Sequence, residues 1–198
     1  MGKNKIAFQG EKGAYSHIAC EEIYKDAEIE NCATFEETFK IAFENEDVKA
    51  IIPLENSLAG RVADIHYLLP KYKLQIYGEH FQKVEHCLLC KKEAELKDIK
   101  YIRSHAQAIG QCQNIIKKNK FKPIISADTA GSAKDLADSK DKSIAAIASE
   151  LAAKIYDLKI LERNIEDETG NVTRFLIMGK NVKQPEHEKS KKYITSCI

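Results

Sequence analysis

The sequence predicts an α/β protein of two lobes with a cleft between them, and three observations support this. Short apolar stretches typical of strands alternate with amphipathic stretches typical of helices along most of the 198 residues. The alternation forms two series joined through adjacent strands, and a β-α-β order favours mostly parallel sheets covered by helices. With 43% hydrophobic residues, the chain is also apolar enough to form sizeable cores.

The first series occupies the N-terminal part of the chain. We predict strands at Lys5–Phe8, Glu28–Ala33 and Ala50–Pro53, and helices at Tyr15–Tyr24, Glu36–Asn45 and Arg61–Leu69. Two further strands follow, Leu74–Gly78 and Val84–Cys90, separated by the polar stretch Glu79–Lys83.

The second series repeats the alternation. Its predicted strands are Tyr101–Arg103, Lys122–Ser126 and Ile144–Ile147, and its helices are Ala106–Lys118, Gly131–Asp138 and Glu150–Tyr156. Two closing strands, Leu158–Ile165 and Val172–Met178, flank a turn that contains Gly170. We therefore expect the first lobe at about 1–80 plus 160–179 and the second at about 81–159. The chain is expected to cross back near Leu158–Ile165.

Charge and hydropathy exclude several classes of function. The formal net charge is +1 and acidic and basic residues are interleaved, so no basic face is expected for nucleic acid. The N-terminal residues lack an apolar signal core, and no stretch approaches the roughly 20 apolar residues of a membrane span. We therefore expect a cytoplasmic protein with neither nucleic acid nor a membrane as partner.

The six cysteines have neither the density nor the spacing of a disulfide framework, so we predict reduced thiols. Cys87 and Cys90, which follow His86, resemble half of a zinc knuckle, but no second pair with ligand spacing follows. The segment is predicted to be a strand, where residues three apart point to opposite faces. We therefore predict no metal site.

The junctions between strands and helices are the candidate sites, because ligands of open α/β folds bind beyond the carboxyl ends of strands. The loop from Gly10 to Ser16 lacks the third glycine of a dinucleotide fingerprint, so a carboxylate site is the better functional interpretation. An ordinary tight turn is the structural alternative. The backbone N–H groups of Ala14–Ser16 are the candidate anion donors.

Two further junctions carry amides and hydroxyls. Asn56 can donate and accept at once, while Ser57 is either a ligand or a helix N-cap. Ser104 and Gln111 can face the same side only if Ser104 joins the first helical turn. His105 is a candidate acid or base, but a surface or capping role is favoured.

The last two candidates follow later strands. The segment from Asp128 through Thr129 and Ala130 to Ser132 is either an anion site or a capping cluster. Arg174, on the closing strand, is either a carboxylate clamp or a salt-bridged strand residue. No phosphate-binding loop, paired histidine motif or nucleophile with its base is recognised, so we predict no cofactor.

Taken in order, these segments resemble the motifs of the prephenate dehydratase family. The matching segments are Gly10–Ser16, Glu55-Asn56-Ser57, His86-Cys87-Leu88-Leu89, Ser104-His105-x-Gln107, Gln111-Cys112, Thr129-Ala130, Ala145–Ser149 and Asn171-x-Thr173-Arg174-Phe175. The resemblance covers Ile6 to Gly179. It implies a fold like the type II periplasmic binding proteins, with two chain crossings between the lobes, and a homodimer or homotetramer.

The resemblance also implies an activity and residue roles. The expected reaction converts prephenate to phenylpyruvate, water and CO2. Thr173 is expected to donate a hydrogen bond to the leaving hydroxyl, with Asn56, Ser104 and Gln111 positioning the substrate. The expected substrate contacts are Ala14, Ser16, Ser57, Thr129, Ala130, Arg174 as a carboxylate clamp and Phe175 packing on the ring. Arogenate dehydratase and a non-catalytic sensor of small anions are the alternatives.

The C-terminal residues are predicted to lie outside the catalytic domain. Residues 180–192 have the composition of a solvated polar linker, and residues 193–198 look like the truncated start of another strand. The resemblance implies an ACT domain that binds phenylalanine after the catalytic part. We expect that module to be missing and the activity to be insensitive to phenylalanine.

Overall fold

The computed structural model describes residues 5–181. The strands are β1 (Lys5–Gln9), β2 (Glu28–Cys32), β3 (Val48–Asn56), β4 (Gly60–Arg61), β5 (Gln75–Lys83), β6 (Cys87–Cys90), β7 (Tyr101–His105), β8 (Lys122–Ser126), β9 (Ile144–Ala148), β10 (Lys159–Arg163) and β11 (Val172–Gly179). The α-helices are α1 (Tyr15–Ile23), α2 (Phe35–Glu44), α3 (Ala63–Tyr72), α4 (Ala106–Gln111), α5 (Gln113–Asn119), α6 (Thr129–Asp138) and α7 (Glu150–Ile155). The expected linker and the expected start of an ACT domain lie outside this range, apart from Lys180 and Asn181.

The strands form two sheets, one in each lobe. The first has the order β2-β1-β3-β11-β5, with β4 paired to β3, and the second has the order β10-β6-β9-β7-β8. In each sheet one strand runs antiparallel to both of its neighbours, β11 in the first and β6 in the second, while β2-β1-β3 and β9-β7-β8 are parallel. The predicted two-lobed α/β class is confirmed, but both sheets are mixed: of the nine strand pairings in the described residues, four are parallel and five are antiparallel.

The chain passes between the lobes twice, as expected. It leaves the first lobe after Lys83 and returns after β10, which pairs with β6 in the second sheet. The strand predicted at Leu158–Ile165 therefore belongs to the second lobe, and the crossing follows it. The two crossing segments bind each other, since Val84 N donates to Asn171 O over 2.8 Å and Ile165 N to His86 O over 3.0 Å.

Three of the predicted boundaries that are wrong can each be traced to an identified partner. The polar stretch Glu79–Lys83 belongs to β5, where its backbone pairs with β11 at the edge of the sheet. The segment Gly60–Arg61 pairs with β3 instead of starting α3.

The helix predicted at Ala106–Lys118 breaks at Cys112. The reason lies in the second crossing segment, where the Asp167 carboxylate accepts from Gln113 N over 2.7 Å and from Asn114 N over 2.9 Å. These contacts cap the start of α5 as an N-cap carboxylate does.

Both sheets are packed on two faces. Cys87 packs in the apolar cluster around Ala146 and Leu136, whereas Cys90 packs in the cluster around Ile102 and Phe121. The prediction that these two thiols point to opposite faces is confirmed.

The cysteines of the described range are free and buried: Cys20, Cys32, Cys87, Cys90 and Cys112. Burial raises the pKa of the Cys87 thiol to about 11, which disfavours the thiolate. Within residues 5–181, no group of three His, Cys, Asp or Glu side chains is placed to hold a metal ion. In the same range no helix is long and apolar enough to cross a membrane.

Candidate active site

A cleft of about 620 Å³ lies between the lobes, within the size range of small-molecule sites. The crossing segments contribute Val84, His86 and Asn171 to its lining. Polar lining residues of the first lobe include Gln9, Tyr15, Ser16, Asn56, Arg61, Asp64 and Thr173, and those of the second include His105, Gln107, Gln111, Asp128 and Thr129. The cleft therefore collects the ends of several strands and the starts of several helices, as expected for an α/β fold.

Thr173 and Asn56 face each other across β11 and β3 at the cleft. The amide oxygen of Asn56 accepts from Leu58 N over 3.0 Å and from Ala59 N over 2.9 Å, which fixes the orientation of its side chain. Its Nδ2 therefore donates to Thr173 Oγ1 over 2.9 Å. Because a hydroxyl can accept and donate at once, Thr173 keeps its own hydrogen for a ligand.

Gln111 reaches the cleft from the end of α4. Its Oε1 accepts from Asn171 Nδ2 over 3.0 Å and lies 2.9 Å from His86 Nε2. Asn171 in turn accepts from Asn56 Nδ2 over 2.7 Å. The amides of the two lobes thus meet through the crossing segments.

The first loop brings the lobes close together. Gly13 has φ +90°, and a Cβ there would lie 2.7 Å from the Ala152 Cα on α7, so glycine is required. Ser149 Oγ donates to Gly13 O over 2.5 Å. This contact holds Ala14, the N-cap of α1, and Ser16 at the edge of the cleft.

Two helix starts of the second lobe also reach the cleft. Asp128 caps α6 by accepting from Gly131 N over 2.6 Å, and Thr129 follows it in the lining. His105 caps α4 by accepting from Gln107 N over 3.3 Å, so the favoured capping role of His105 is confirmed. Ala130 is fully buried and does not line the cleft, so the expectation that it contacts substrate is wrong.

Comparison with known families identifies the chain. Residues 6–183 match the family model described as prephenate dehydratase. The chain belongs to the prephenate dehydratase family. The resemblance noted from the motifs is therefore confirmed.

Relatives within the family carry several activities in their names. The chain is 44% identical to a bifunctional N-acyl-homoserine lactone acylase/prephenate dehydratase of Komagataeibacter europaeus, over 90% of this chain and 64% of that protein. It is 39% identical to arogenate dehydratase/prephenate dehydratase 2, chloroplastic, of Arabidopsis thaliana, over 89% of this chain and 46% of that protein. The chain therefore spans between about half and two thirds of the length of these relatives.

Solved structures of the family share the fold. The prephenate dehydratase of Arthrobacter aurescens, solved in complex with L-Phe, superimposes with a TM-score of 0.85 at 26% identity, over 93% of this chain and 63% of that one. The Staphylococcus aureus enzyme superimposes with a TM-score of 0.78 at 24% identity, over 94% of this chain and 74% of that one.

Ser104 is not at the cleft of this family member. It lies in β7, fully buried, and its hydroxyl donates to Ile147 O on β9 over 2.7 Å. Ser104 therefore does not join the first helical turn, the condition under which it could face the same side as Gln111, and its hydroxyl is not at the cleft in this structure. The physical reason is that the helix begins only at Ala106, after His105 has capped it.

Ser57 is also used by the protein itself. Its hydroxyl accepts from Val172 N over 3.0 Å and donates to Gly170 O over 3.3 Å, closing the turn before β11. It is exposed and lies outside the cleft lining, so the predicted substrate contact is wrong. The N-cap alternative is wrong too, because α3 starts at Ala63 with Val62 as its cap.

Arg174 points away from the cleft, as strand alternation warns. Its guanidinium binds Glu79 Oε2 over 2.8 Å and Glu55 Oε1 over 3.1 Å, and these hydrogen bonds raise its pKa against the effect of burial. The predicted carboxylate clamp is therefore wrong, and the alternative of a salt-bridged strand position is confirmed. Phe175 alternates back, is 1% exposed, and reaches both the cleft and the core around Phe8.

Sequence reasoning missed several residues of the cleft. Arg61 is the one arginine or lysine among the lining residues of the described range, and within that range it forms no ion pair. Asp64 lies three residues further on, also in the lining and exposed. Both residues were missed because residue 61 was assigned to a helix. In the structure, Arg61 lies in β4 and Asp64 in the first turn of α3, and both side chains face the cleft.

Proposed function

We propose that this chain catalyses the decarboxylative dehydration of prephenate to phenylpyruvate, CO2 and water. The observation that carries the proposal is the Thr173 hydroxyl, whose oxygen accepts from Asn56 Nδ2 and whose hydrogen remains available in the cleft. In the reaction, the C–C bond to the ring carboxylate breaks and its electron pair completes the aromatic ring. The ring hydroxyl leaves as hydroxide, which one proton converts to water.

The composition of the cleft supports a dianionic substrate. Gln111, Thr129 and Thr173 offer neutral donors, and Arg61 offers one positive charge. Asn56 acts through Thr173, because the hydrogens of its Nδ2 are donated to Thr173 and Asn171. Ionised carboxylates beside a dianion would repel it more strongly as water is excluded. Of the two acidic residues in the described lining, Asp128 directs its carboxylate to Gly131 N as a helix cap, whereas Asp64 is exposed and lies three residues from Arg61.

Thr173 acts on the leaving hydroxyl by hydrogen bonding. A threonine hydroxyl is too weak an acid to transfer its proton fully, but a donor that strengthens its bond as negative charge develops on oxygen lowers the barrier. Asn56 supports that role, because the bond it donates to Oγ1 polarises the threonine hydroxyl. Gln111 and Phe175 hold the ring from the second and first lobes.

Arg61 is the proposed partner of a substrate carboxylate. A guanidinium binds a carboxylate with two parallel hydrogen bonds, which also orients it. Further proposed contacts for the substrate's carboxylates are the backbone N–H groups of Tyr15 and Ser16, in the first turn of the nine-residue helix α1, and the hydroxyl of Thr129. The N–H of Ala14 is not among them, because it donates to Glu11 O over 3.1 Å.

Arogenate dehydration is the second candidate, and Asp64 is the observation that favours it. Arogenate carries an ammonium group where prephenate has a keto group, so a carboxylate in the cleft would select it. Asp64 is exposed in the lining three residues from Arg61. The pair could hold the ammonium and carboxylate of an amino acid together.

The cellular setting is also a proposal. The five buried free thiols among residues 5–181 suit a reducing compartment such as the cytoplasm. We also propose a homo-oligomer, a dimer or tetramer, which light scattering on the purified protein would test.

One comparison of substrates tests the function. Purified protein is given prephenate or arogenate, and the formation of phenylpyruvate or phenylalanine is followed, with Asp64→Asn assayed in parallel. We expect phenylpyruvate from prephenate as the faster reaction. A faster reaction with arogenate, lost in Asp64→Asn, would support the second candidate. Binding of prephenate without turnover of either compound would indicate a non-catalytic sensor.

A further inference from the structure

A chain of side-chain hydrogen bonds runs from the first lobe through both crossing segments to the second lobe and back. It starts at the backbone N–H groups of Leu58 and Ala59 and passes through Asn56, Asn171 and Gln111. It continues to His86, whose Nε2 lies 2.9 Å from Gln111 Oε1, and ends at Tyr15. His86, 2% exposed, is not used by the chemistry proposed above.

The directions of the hydrogen bonds from Asn56 to His86 follow from the backbone donors at the start of this series. Backbone N–H groups can only donate, so Asn56 must turn its oxygen towards Leu58 and Ala59 and its nitrogen towards Asn171. Asn171 must then accept with its oxygen and donate with its nitrogen to Gln111. Gln111 must therefore turn its oxygen towards Asn171, and the same oxygen faces His86.

These directions assign one proton position on the ring of His86. Gln111 Oε1 is an acceptor, so His86 Nε2 must carry a hydrogen and donate it. On the other side of the ring, Nδ1 lies 2.9 Å from the hydroxyl oxygen of Tyr15, whose single hydrogen also faces Glu85 O at 2.7 Å. With Nε2 protonated, Nδ1 of a neutral ring is an acceptor and shares that hydrogen with Glu85 O. Burial lowers the pKa of His86 and raises that of Tyr15, so the ring is favoured in its neutral form and the phenol stays protonated.

Two donors on one oxygen decide what Gln111 presents to the cleft. Asn171 and His86, both on the crossing segments, donate to Oε1 of Gln111. Nε2 of Gln111 has no hydrogen-bond partner among residues 5–181. In that range no buried side-chain N or O atom lacks a partner, so this nitrogen is accessible. If the amide turned over, both bonds would be lost and an oxygen lone pair would face an anionic ligand.

We propose that His86 is a positioning residue, which donates from Nε2 to Gln111 and so keeps the amide N–H of Gln111 directed at the substrate. The proposal rests on the proposed dehydratase function for its kinetic consequence, but the proton position is a property of the protein alone. A purely structural role would instead make His86 part of a buried polar network whose loss costs stability.

A double-mutant cycle separates these roles. The four proteins are the wild type, His86→Phe, Gln111→Ala and the double variant. His86→Phe keeps a ring but loses the donor, and we expect kcat to fall about tenfold to a hundredfold with a smaller change in KM. In the Gln111→Ala background the same substitution should cost less than about threefold, because the residue through which it acts is gone.

Rescue and spectroscopy complete the test. His86→Gln restores an N–H donor near the position of Nε2, so its kcat should return to within about fivefold of the wild type. Nitrogen-15 NMR of labelled histidine, assigned with His86→Gln, should find a proton on Nε2 of His86 in the wild type. Multiplicative effects in the cycle, or equal losses in His86→Phe and His86→Gln, would overturn the positioning role.

The two proposals fail in distinguishable ways. An unprotonated Nε2 in the NMR experiment overturns the inference whether or not the protein turns over prephenate. A protonated Nε2 in a protein without dehydratase activity would leave the bond directions standing and overturn the proposed function, and the kinetic role of His86 with it.

Discussion

Two neighbouring residues of β11 have opposite surroundings, and the comparison explains how this cleft suits an anion. Thr173 faces the cleft, where it has a neutral partner in Asn56. Arg174 faces away, where two carboxylates, Glu55 and Glu79, bind its guanidinium. The strand thus keeps its paired charges behind the site and its neutral donors in front. We infer that front-face changes alter rate and back-face changes alter stability.

The largest effect is expected at the front face. Thr173→Ala removes a donor that acts mainly in the transition state, so kcat should fall at least about a hundredfold. Initial rates of phenylpyruvate formation measure this, with the free energy of unfolding determined alongside. Thr173→Ser retains the hydroxyl and is the matched control, expected within about tenfold of the wild type. Wild-type turnover by Thr173→Ala would refute the assignment.

A smaller effect is expected from a change at Arg61. Arg61→Ala removes the cation proposed to bind a carboxylate, and KM for prephenate should rise about tenfold because a charged hydrogen bond is lost. Arg163→Ala is the control, since Arg163 is bound to Glu150 on the outside of the second lobe. An unchanged KM in Arg61→Ala would show that the carboxylate is held elsewhere.

The back face should respond in stability. Arg174→Met leaves Glu79, with 29% of its side chain exposed, without its cation, which should lower the free energy of unfolding by about 1–2 kcal/mol after allowing for solvent screening. Denaturant titration measures the loss, and kcat of the folded protein should stay within about threefold. A loss of kcat as large as that of Thr173→Ala would contradict the separation of the two faces.

The free energy of unfolding should depend on pH because of His86, which lies on a crossing segment. Burial lowers the pKa of His86 below its usual value, while the unfolded chain has the ordinary value of about 6.5. Below about pH 6.5 the unfolded state therefore binds a proton that the folded state does not. The free energy of unfolding consequently decreases as the pH is lowered below that value. His17, whose pKa burial also lowers, acts in the same direction.

Denaturant titrations from about pH 8 to about pH 5 would measure this slope. His86→Gln should flatten it, whereas His66→Gln, a change at an exposed helix position, should not. Equal slopes for His86→Gln and the wild type would contradict the burial argument.

The smallest expected effect is that of chelation. The side chains proposed to act on prephenate are hydroxyls, amides and a guanidinium, none of which needs a metal ion. Exhaustive treatment with EDTA should leave the initial rate unchanged within error. A rate that vanished and returned with zinc would overturn this account and direct attention to His86, Cys87 and Cys90.

The sequence was sufficient to predict the elements and the two lobes, because helix and strand periodicities are local properties. It also indicated that Asn56, Gln111 and Thr173 lie near junctions between elements, and these junctions meet at one cleft. The junction rule works here because parallel strands bring their carboxyl ends together.

Side-chain direction was harder to predict, since it depends on partners distant in sequence. The hydroxyl of Ser104 donates to the carbonyl of Ile147, and the guanidinium of Arg174 forms an ion pair with Glu79 on the neighbouring strand. Neither partner has a spacing that a local pattern could reveal. Arg61 was missed for a local reason, since it lies in the short strand β4, which pairs with the end of β3 only a few residues earlier.

The central claim is most directly tested by the stoichiometry of the reaction. Prephenate is incubated with increasing amounts of purified protein near neutral pH, and CO2 and phenylpyruvate are quantified against an uncatalysed control. The account predicts that both products form in a one-to-one ratio at a rate proportional to protein concentration, and that Thr173→Ala falls towards the control. A rate independent of protein concentration would contradict it.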